Sequence, residues 1–234
     1  MNAPLPENEE QRLKALYRYQ ILDTSPEQAY DDFTHLISTV CQAPIAFITM
    51  VDSERLWFKS KVGLDLTETP REHGFCAHTI LQSNMLVVPD MTIDERFTDN
   101  ILVTSDPFIK FYAGAPLITP DGHQIGSLCV IDYVPRELSS GQLAAIEALS
   151  RQVVTQLELR AALNTIKTLR GLLPLCSYCK KIRDDANYWQ EVDSYITEHS
   201  EAQVSHSICP ICYEGIVKPS VEDFKRRLLS GENV

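Results

Sequence analysis

Two Cys-x-x-Cys pairs, Cys176-Ser-Tyr-Cys179 and Cys209-Pro-Ile-Cys212, constrain this sequence more than any other feature. Each short loop lets two thiolates converge on one metal ion, and two loops complete a tetrahedral four-sulfur shell. That pattern predicts Zn2+ held by Cys176, Cys179, Cys209 and Cys212. With no open position, such a zinc would be structural. A module of about 40 residues has too small a core to fold alone, so metal binding would supply much of its folding free energy. The 29 residues between the pairs are consistent with this reading. Lys180 to Asp185 and Tyr188 to Val192 suit a hairpin about Asp185-Ala186-Asn187, Tyr195 to Glu198 a helical turn, and the second pair opens a last helix. The expected arrangement is treble-clef-like. His206, three residues before Cys209, makes a Cys3His shell conceivable, but four cysteines suffice and leave His206 beside the shell or on the surface.

The compartment agrees with metal chemistry. No apolar run approaches the ~20 residues of a membrane span, and the Pro-, Asn- and Glu-rich start (Met1 to Glu10) resembles neither a signal nor a transit peptide. A cytoplasmic location follows as the expectation, where thiols stay reduced. Seven cysteines, an odd number, then read as metal ligands, buried thiols or redox groups and not as a disulfide framework. The formal net charge of −11 disfavours nucleic acid and anionic lipid, which would need a basic patch. Lys225-Arg226-Arg227 is short and follows Glu222 and Asp223, as on a solvated helix face. Between Gly171 and Val234, seven basic side chains face ten acidic ones.

Ahead of the cysteine pairs the periodicity is α+β. Leu13, Leu16, Tyr17 and Tyr19 have helical spacing within Glu9 to Gln20. Ser25 is a candidate N-cap, with Pro26 at the first position of a second helix bearing Phe33, Leu36, Ile37 and Val40. Ile45 to Val51 is nearly continuously apolar, as in a central strand covered on both faces. Leu56 to Val62 alternates. Ala77 to Leu81 suits a short helix and Met85 to Val88 a strand. Phe111 to Ile118 and Gln124 to Ile131 flank the hairpin signal Thr119-Pro120-Asp121-Gly122. Asp90 to Asp106 reads as a rim loop with a helical turn or two. A long helix opens at Ser139-Ser140 and runs to about Leu173, closed by Gly171 and Pro174. Leu143, Ile146, Leu149 and Val153 form its first stripe. Leu159, Ala162, Ile166, Leu169 and Leu173 follow with the 3,4 spacing of a coiled-coil seam, which predicts a homodimer.

Five strings carry a resemblance to a known family: "ILDTSPEQAYDDFTHL", "PIAFITMVDSERLWFKSKVGL", "HGFCAHTI", "VVPDMTIDERFTDN" and "FYAGAPLITPDGHQIGSLCVID". Together, and in this order, they resemble a GAF domain of the bacterial signalling type over about Leu13 to Leu163. The resemblance implies an antiparallel six-stranded sheet with helices on one face. On the other it implies a small-molecule pocket roofed by the helix after Phe75 and the loop after Asp90. Candidate pocket residues are Phe58, Phe75, Cys76, His78, Asp90 and Tyr112. Bilin-binding members place His directly after the anchoring Cys; here Ala77 intervenes between Cys76 and His78. The Asn-Lys-Phe-Asp-Glu set of cyclic-nucleotide-binding members is not traceable. The string from Leu169 to Val217 is similar to segments that end bacterial sensors and response regulators.

The expected organisation is an N-terminal cap helix (1–25), a GAF domain (26–158), a coiled-coil linker helix (159–175), a tetracysteine zinc module (176–217) and a tail (218–234). The expected function is a cytoplasmic, dimeric sensory protein without catalytic activity. A small molecule or redox state would be sensed by the GAF domain and relayed along the long helix to a zinc module that docks a signalling protein. Two alternatives stand beside it. One is a thiol enzyme, either of the free methionine sulfoxide reductase type, for which Cys76 and Cys129 could approach each other, or peroxide-reactive; the other is a zinc-dependent nucleic-acid binder.

Overall fold

Every residue of the apolar run Ile45–Val51 is buried, because it forms β1 at the centre of a sheet covered on both faces. The computed structural model describes residues 3–170, 175–183, 188–199 and 204–230. It divides into two units, Met1–Thr168 and Leu169–Val234.

In the first unit β1 is joined by β2 (Arg55–Val62), β3 (Glu68–Pro70), β4 (Leu86–Val88), β5 (Phe111–Ile118) and β6 (Gln124–Asp132). The six strands lie in the order β3-β2-β1-β6-β5-β4, and neighbours pair antiparallel. Strand pleating sends alternate residues to opposite faces. Ala46, Ile48, Met50, Leu128 and Val130 enter one core. There they meet Leu16 of α1 (Glu9–Arg18), Ile37 of α2 (Gln28–Cys41), and Ile146, Val153 and Leu157 of α5 (Ser140–Arg170). Ile45, Phe47, Cys129 and Ile131 enter the second core, with Phe75, Ile80, Met91 and Phe97. A 3-10 turn (Arg71–His73), α3 (Cys76–Thr79) and α4 (Ile101–Thr104) cover this side.

Several local expectations shift. The second helix starts at Gln28 with Glu27 as N-cap, and not at Ser25-Pro26. The Lys59 ammonium explains the delay: it is buried, and takes the Ser25 carbonyl at 2.7 Å, Thr24 Oγ1 at 2.9 Å and Glu27 Oε1 at 2.7 Å. Ser25 is thereby spent on a lysine and not on a helix end. The first helix stops at Arg18, and Gln20 and Asp23 follow with positive φ. β3 and the 3-10 turn carry no apolar period and were not anticipated.

In the second unit β7 (Ile182–Arg183) pairs antiparallel with β8 (Trp189–Gln190), followed by α6 (Val192–His199). Then come α7 (Pro210–Cys212), a π-turn (Tyr213–Val217) and α8 (Lys218–Ser230). The hairpin turn expected at Asp185-Ala186-Asn187, and the closure of the long helix at Gly171 and Pro174, lie outside the described residues. Among the described residues no helix is long and apolar enough to cross a membrane.

Candidate functional site

The second core does not fill its layer. A cavity of 340 Å³ lies between the sheet and its cover, lined by Phe47, Leu56, Phe58, Leu64, Phe75, Cys76, Leu102, Ile109 and Ile131, with Asp65, Leu66, Thr69, Gly74, Asp106 and Pro107 completing the wall. This is within the range that holds small ligands. Phe47 and Phe58 stack across neighbouring strands at 4.5 Å. Asp65 is fully exposed and Leu66 exposed, so the cavity reaches from the sheet to solvent. Its lining holds two carboxylates, Asp65 and Asp106, and no Lys or Arg.

The inner wall ends on sulfur. Cys76 opens α3 and Cys129 is in β6, and their Sγ atoms are 3.9 Å apart. Thr49 Oγ1 lies 3.5 Å from Cys76 Sγ, and the Tyr112 hydroxyl donates to the same sulfur at 3.6 Å. That hydroxyl is also 2.6 Å from Thr79 Oγ1. Hydrogen bonding from the Cys129 thiol, opposed by burial and aided by Ser127, Thr49 and Tyr112, holds the Cys76 thiol below its ordinary pKa. The same pairing, together with burial, pushes Cys129 well above its own. Ser127 Oγ is buried and meets no partner at hydrogen-bond geometry among the described residues.

Of the six residues expected in the pocket, Phe58, Phe75 and Cys76 line the cavity. Tyr112 is fully buried behind Cys76. The His78 ring packs edge-on against Phe97 at 4.8 Å and is not among the residues that line the cavity. Asp90 Oδ1 accepts hydrogen bonds from the backbone N–H and hydroxyl of Thr92, so it shapes its own turn. Leu56, Leu102 and Ile109 were missed as wall residues, because a strand or loop apolar residue looks the same in sequence whether it faces a core or a void.

In the second unit each cysteine pair forms a tight knuckle. Lys180 has φ 63, and its N–H donates to the Cys176 carbonyl at 3.0 Å. Backbone N–H groups of Cys179 and Tyr178, with the Cys179 thiol, lower the Cys176 pKa. The Cys212 N–H lies 3.4 Å from Cys209 Sγ and is the main cause of the lowered Cys209 pKa. N–H donors aimed at sulfur favour the thiolate, the form that ligates metal. The donor chemistry of each knuckle therefore suits zinc. Among the described residues, however, no three His, Cys, Asp or Glu side chains are gathered into a metal shell. His206 Nε2 is 3.2 Å from Asp193 Oδ2.

Comparison with known proteins gives a match to the GAF domain over residues 25–157. A cyclic di-GMP phosphodiesterase of Pseudomonas aeruginosa is 38% identical over 170 residues, 72% of this chain and 29% of that protein. The chain thus spans under a third of that relative's length. Among solved structures, the GAF domain of an Acinetobacter phosphoenolpyruvate-protein phosphotransferase is 13% identical at a TM-score of 0.48, covering 68% of this chain and 97% of that one. The blue-light absorbing form of the Thermosynechococcus elongatus PixJ GAF domain is 14% identical at a TM-score of 0.47, covering 69% and 96%. The expectation of a protein without catalytic activity is overturned by the Pseudomonas relative, which is named as an enzyme.

Proposed function

The chain belongs to the GAF domain family, and on that premise we propose that it is a cytoplasmic sensory protein whose first unit takes a small, mainly apolar molecule into the cavity beside Cys76. The cavity carries this reading: 340 Å³ of space walled by Phe58, Phe75 and aliphatic side chains, beside a cluster of buried apolar residues. An unfilled apolar volume forfeits contacts that a ligand would restore. The charge of the wall selects the ligand class. Asp65 at the exposed rim is paired with Lys61 at 2.6 Å, and the lining offers no Lys or Arg to a phosphate, so the apolar inner wall favours a mainly apolar molecule over a polyanion. The kinship with a cyclic di-GMP phosphodiesterase directs the output, and not the input, toward cyclic dinucleotide turnover.

The remaining parts follow. α5 is one continuous helix from Ser140 to Arg170 that joins the two units in sequence. Exposed Leu159 and Ala162 begin the seam of a homodimer. A ligand biases this helix to the extent that it favours one arrangement over another. The four tail cysteines would hold one structural zinc, and the module so fastened docks a signalling protein.

Native mass spectrometry of the purified full chain tests the cavity. The expected result is a small molecule retained by the native chain and lost from Leu102→Trp, whose indole fills the space. A bare mass for both, together with no uptake of apolar fluorescent probes by either, would rule the reading out.

A further inference from the structure

The inner wall of the cavity contains two thiols in contact, and ligand binding alone gives no reason for the second. Their surroundings are unequal. Cys76 lines the cavity, while Cys129, fully buried, sits behind it in a strand of the sheet. Hydroxyls of Thr49 and Tyr112 converge on Cys76 Sγ. Ser127, on the same face of β6 as Cys129 and paired across the sheet with Thr49, has a hydroxyl buried without a hydrogen-bond partner among the described residues. Buried unpaired donors are rare and call for an explanation. A Cys76 sulfur that gains negative charge or an oxygen atom would give this one an acceptor.

We propose that Cys76 and Cys129 form a hydroperoxide-responsive dithiol, with Cys76 as the attacking sulfur and Cys129 as the resolving one. The Cys76 thiolate attacks the distal oxygen of a hydroperoxide entering through the cavity. An S–O bond forms, the O–O bond breaks, and the departing alkoxide or hydroxide takes a proton from solvent. Sulfur is oxidised by two electrons to sulfenic acid and the peroxide is reduced. Cys129 sulfur then displaces the hydroxyl: the S–S bond forms, the S–O bond breaks, and the Cys129 proton leaves with the hydroxyl as water. A dithiol reductant returns both thiols by exchange. The sulfurs must close from 3.9 Å to a bond of about 2.05 Å. The element that moves is small, since α3 has four residues and exposed Leu81 to Asn84 follow it. This inference rests on the reading of the first unit as a sensor and names a chemical input for it.

The test is peptide mapping of the full chain, in its zinc-replete form, after brief exposure to hydrogen peroxide and alkylation under denaturing conditions. Cys41 is an internal reference, because burial pushes its thiol up to about 11 and keeps it inert. The expected result is a Cys76–Cys129 linked peptide, with Cys76 lost at least about tenfold faster than Cys41. In Cys129→Ser, a dimedone adduct accumulates at Cys76; in Cys76→Ser, Cys129 stays reduced. Circular dichroism checks the fold of both variants, and the wild-type map decides alone where a variant fails to fold. Loss of Cys76 no faster than Cys41, or a linkage that omits either residue, overturns the proposal. The map is independent of any retained ligand, so an empty cavity with the disulfide formed would refute the ligand reading alone.

Discussion

At the scale of single residues, the most consequential charge is one that the sequence conceals. Arg12 is fully buried in α1, with its guanidinium on the Val51 carbonyl at 2.6 Å and on Glu9 at 2.7 and 2.8 Å. Glu9 also receives Arg71 at 2.6 Å, so one carboxylate ties the first helix to the 3-10 turn of the cavity cover. Nothing in Glu-Glu-Gln-Arg-Leu separates this arginine from a solvated one, since periodicity registers apolar side chains and not the partners of charged ones. Against the desolvation that burial imposes, hydrogen bonds from Arg12 and Arg71 hold Glu9 from its ordinary 4.5 down to about 2. The folded value is depressed. The stabilisation is therefore complete above about pH 4.5 and is lost as pH falls toward about 2. Glu9→Gln should remove this acid dependence. It should also cost on the order of 3 kcal/mol at neutral pH, because it leaves Arg12 buried without its counter-ion. Urea melts of both proteins at pH 3 and pH 7 check this; equal pH slopes would refute the assignment.

At the scale of elements, α5 changes character along its length. Ile146 and Val153 are fully buried against the sheet, whereas Leu159 and Leu163 are about half exposed, at 51% and 49%. An apolar stripe that leaves its own sheet needs another surface, and the proposed homodimer provides one. Leu159→Lys is expected to weaken self-association at least about tenfold, near 1.4 kcal/mol, by sedimentation equilibrium, with the melting temperature of the first unit unchanged. An unaltered association constant would exclude this seam. Strands β1, β5 and β6 were legible because their apolar runs are long and bounded by turn residues. β3 was not, since Glu68-Thr69-Pro70 has neither alternation nor bulk and is a strand only because β2 offers it an edge. The cavity was half legible for a related reason. Aromatic Phe58 and Phe75 attract notice, while the surrounding leucines and isoleucines become a wall only through the placement of the cover.

At the scale of the whole molecule, the two units should respond to different agents. The first has two apolar cores. In the second, Ile182 is the one apolar residue fully sheltered among those described, so its fold depends on something other than burial. If zinc fastens it, elemental analysis gives one zinc per chain, and a strong chelator abolishes a melting step of the second unit while leaving that of the first. Identical two-step melts with and without chelator would exclude a structural metal. The cysteine spacing announced the knuckles, but spacing alone does not say how two knuckles meet. The sheet has a different kind of dependence. β1 and β6 are buried on both sides, and a Cβ on Gly126 would come within 2.1 Å of the Thr49 carbonyl, which fixes how the two strands lie. Leu128 and Val130 serve one core and Cys129 the other. The loss or gain of a single residue inside β6 would exchange these roles, turning Cys129 toward the helices and a leucine toward Cys76. Length variation in descendants of this gene should therefore collect at Thr119 to Gly122. Within β6 it should be tolerated only in even steps, so that the thiol pair is inherited through the parity of a strand as much as through two codons.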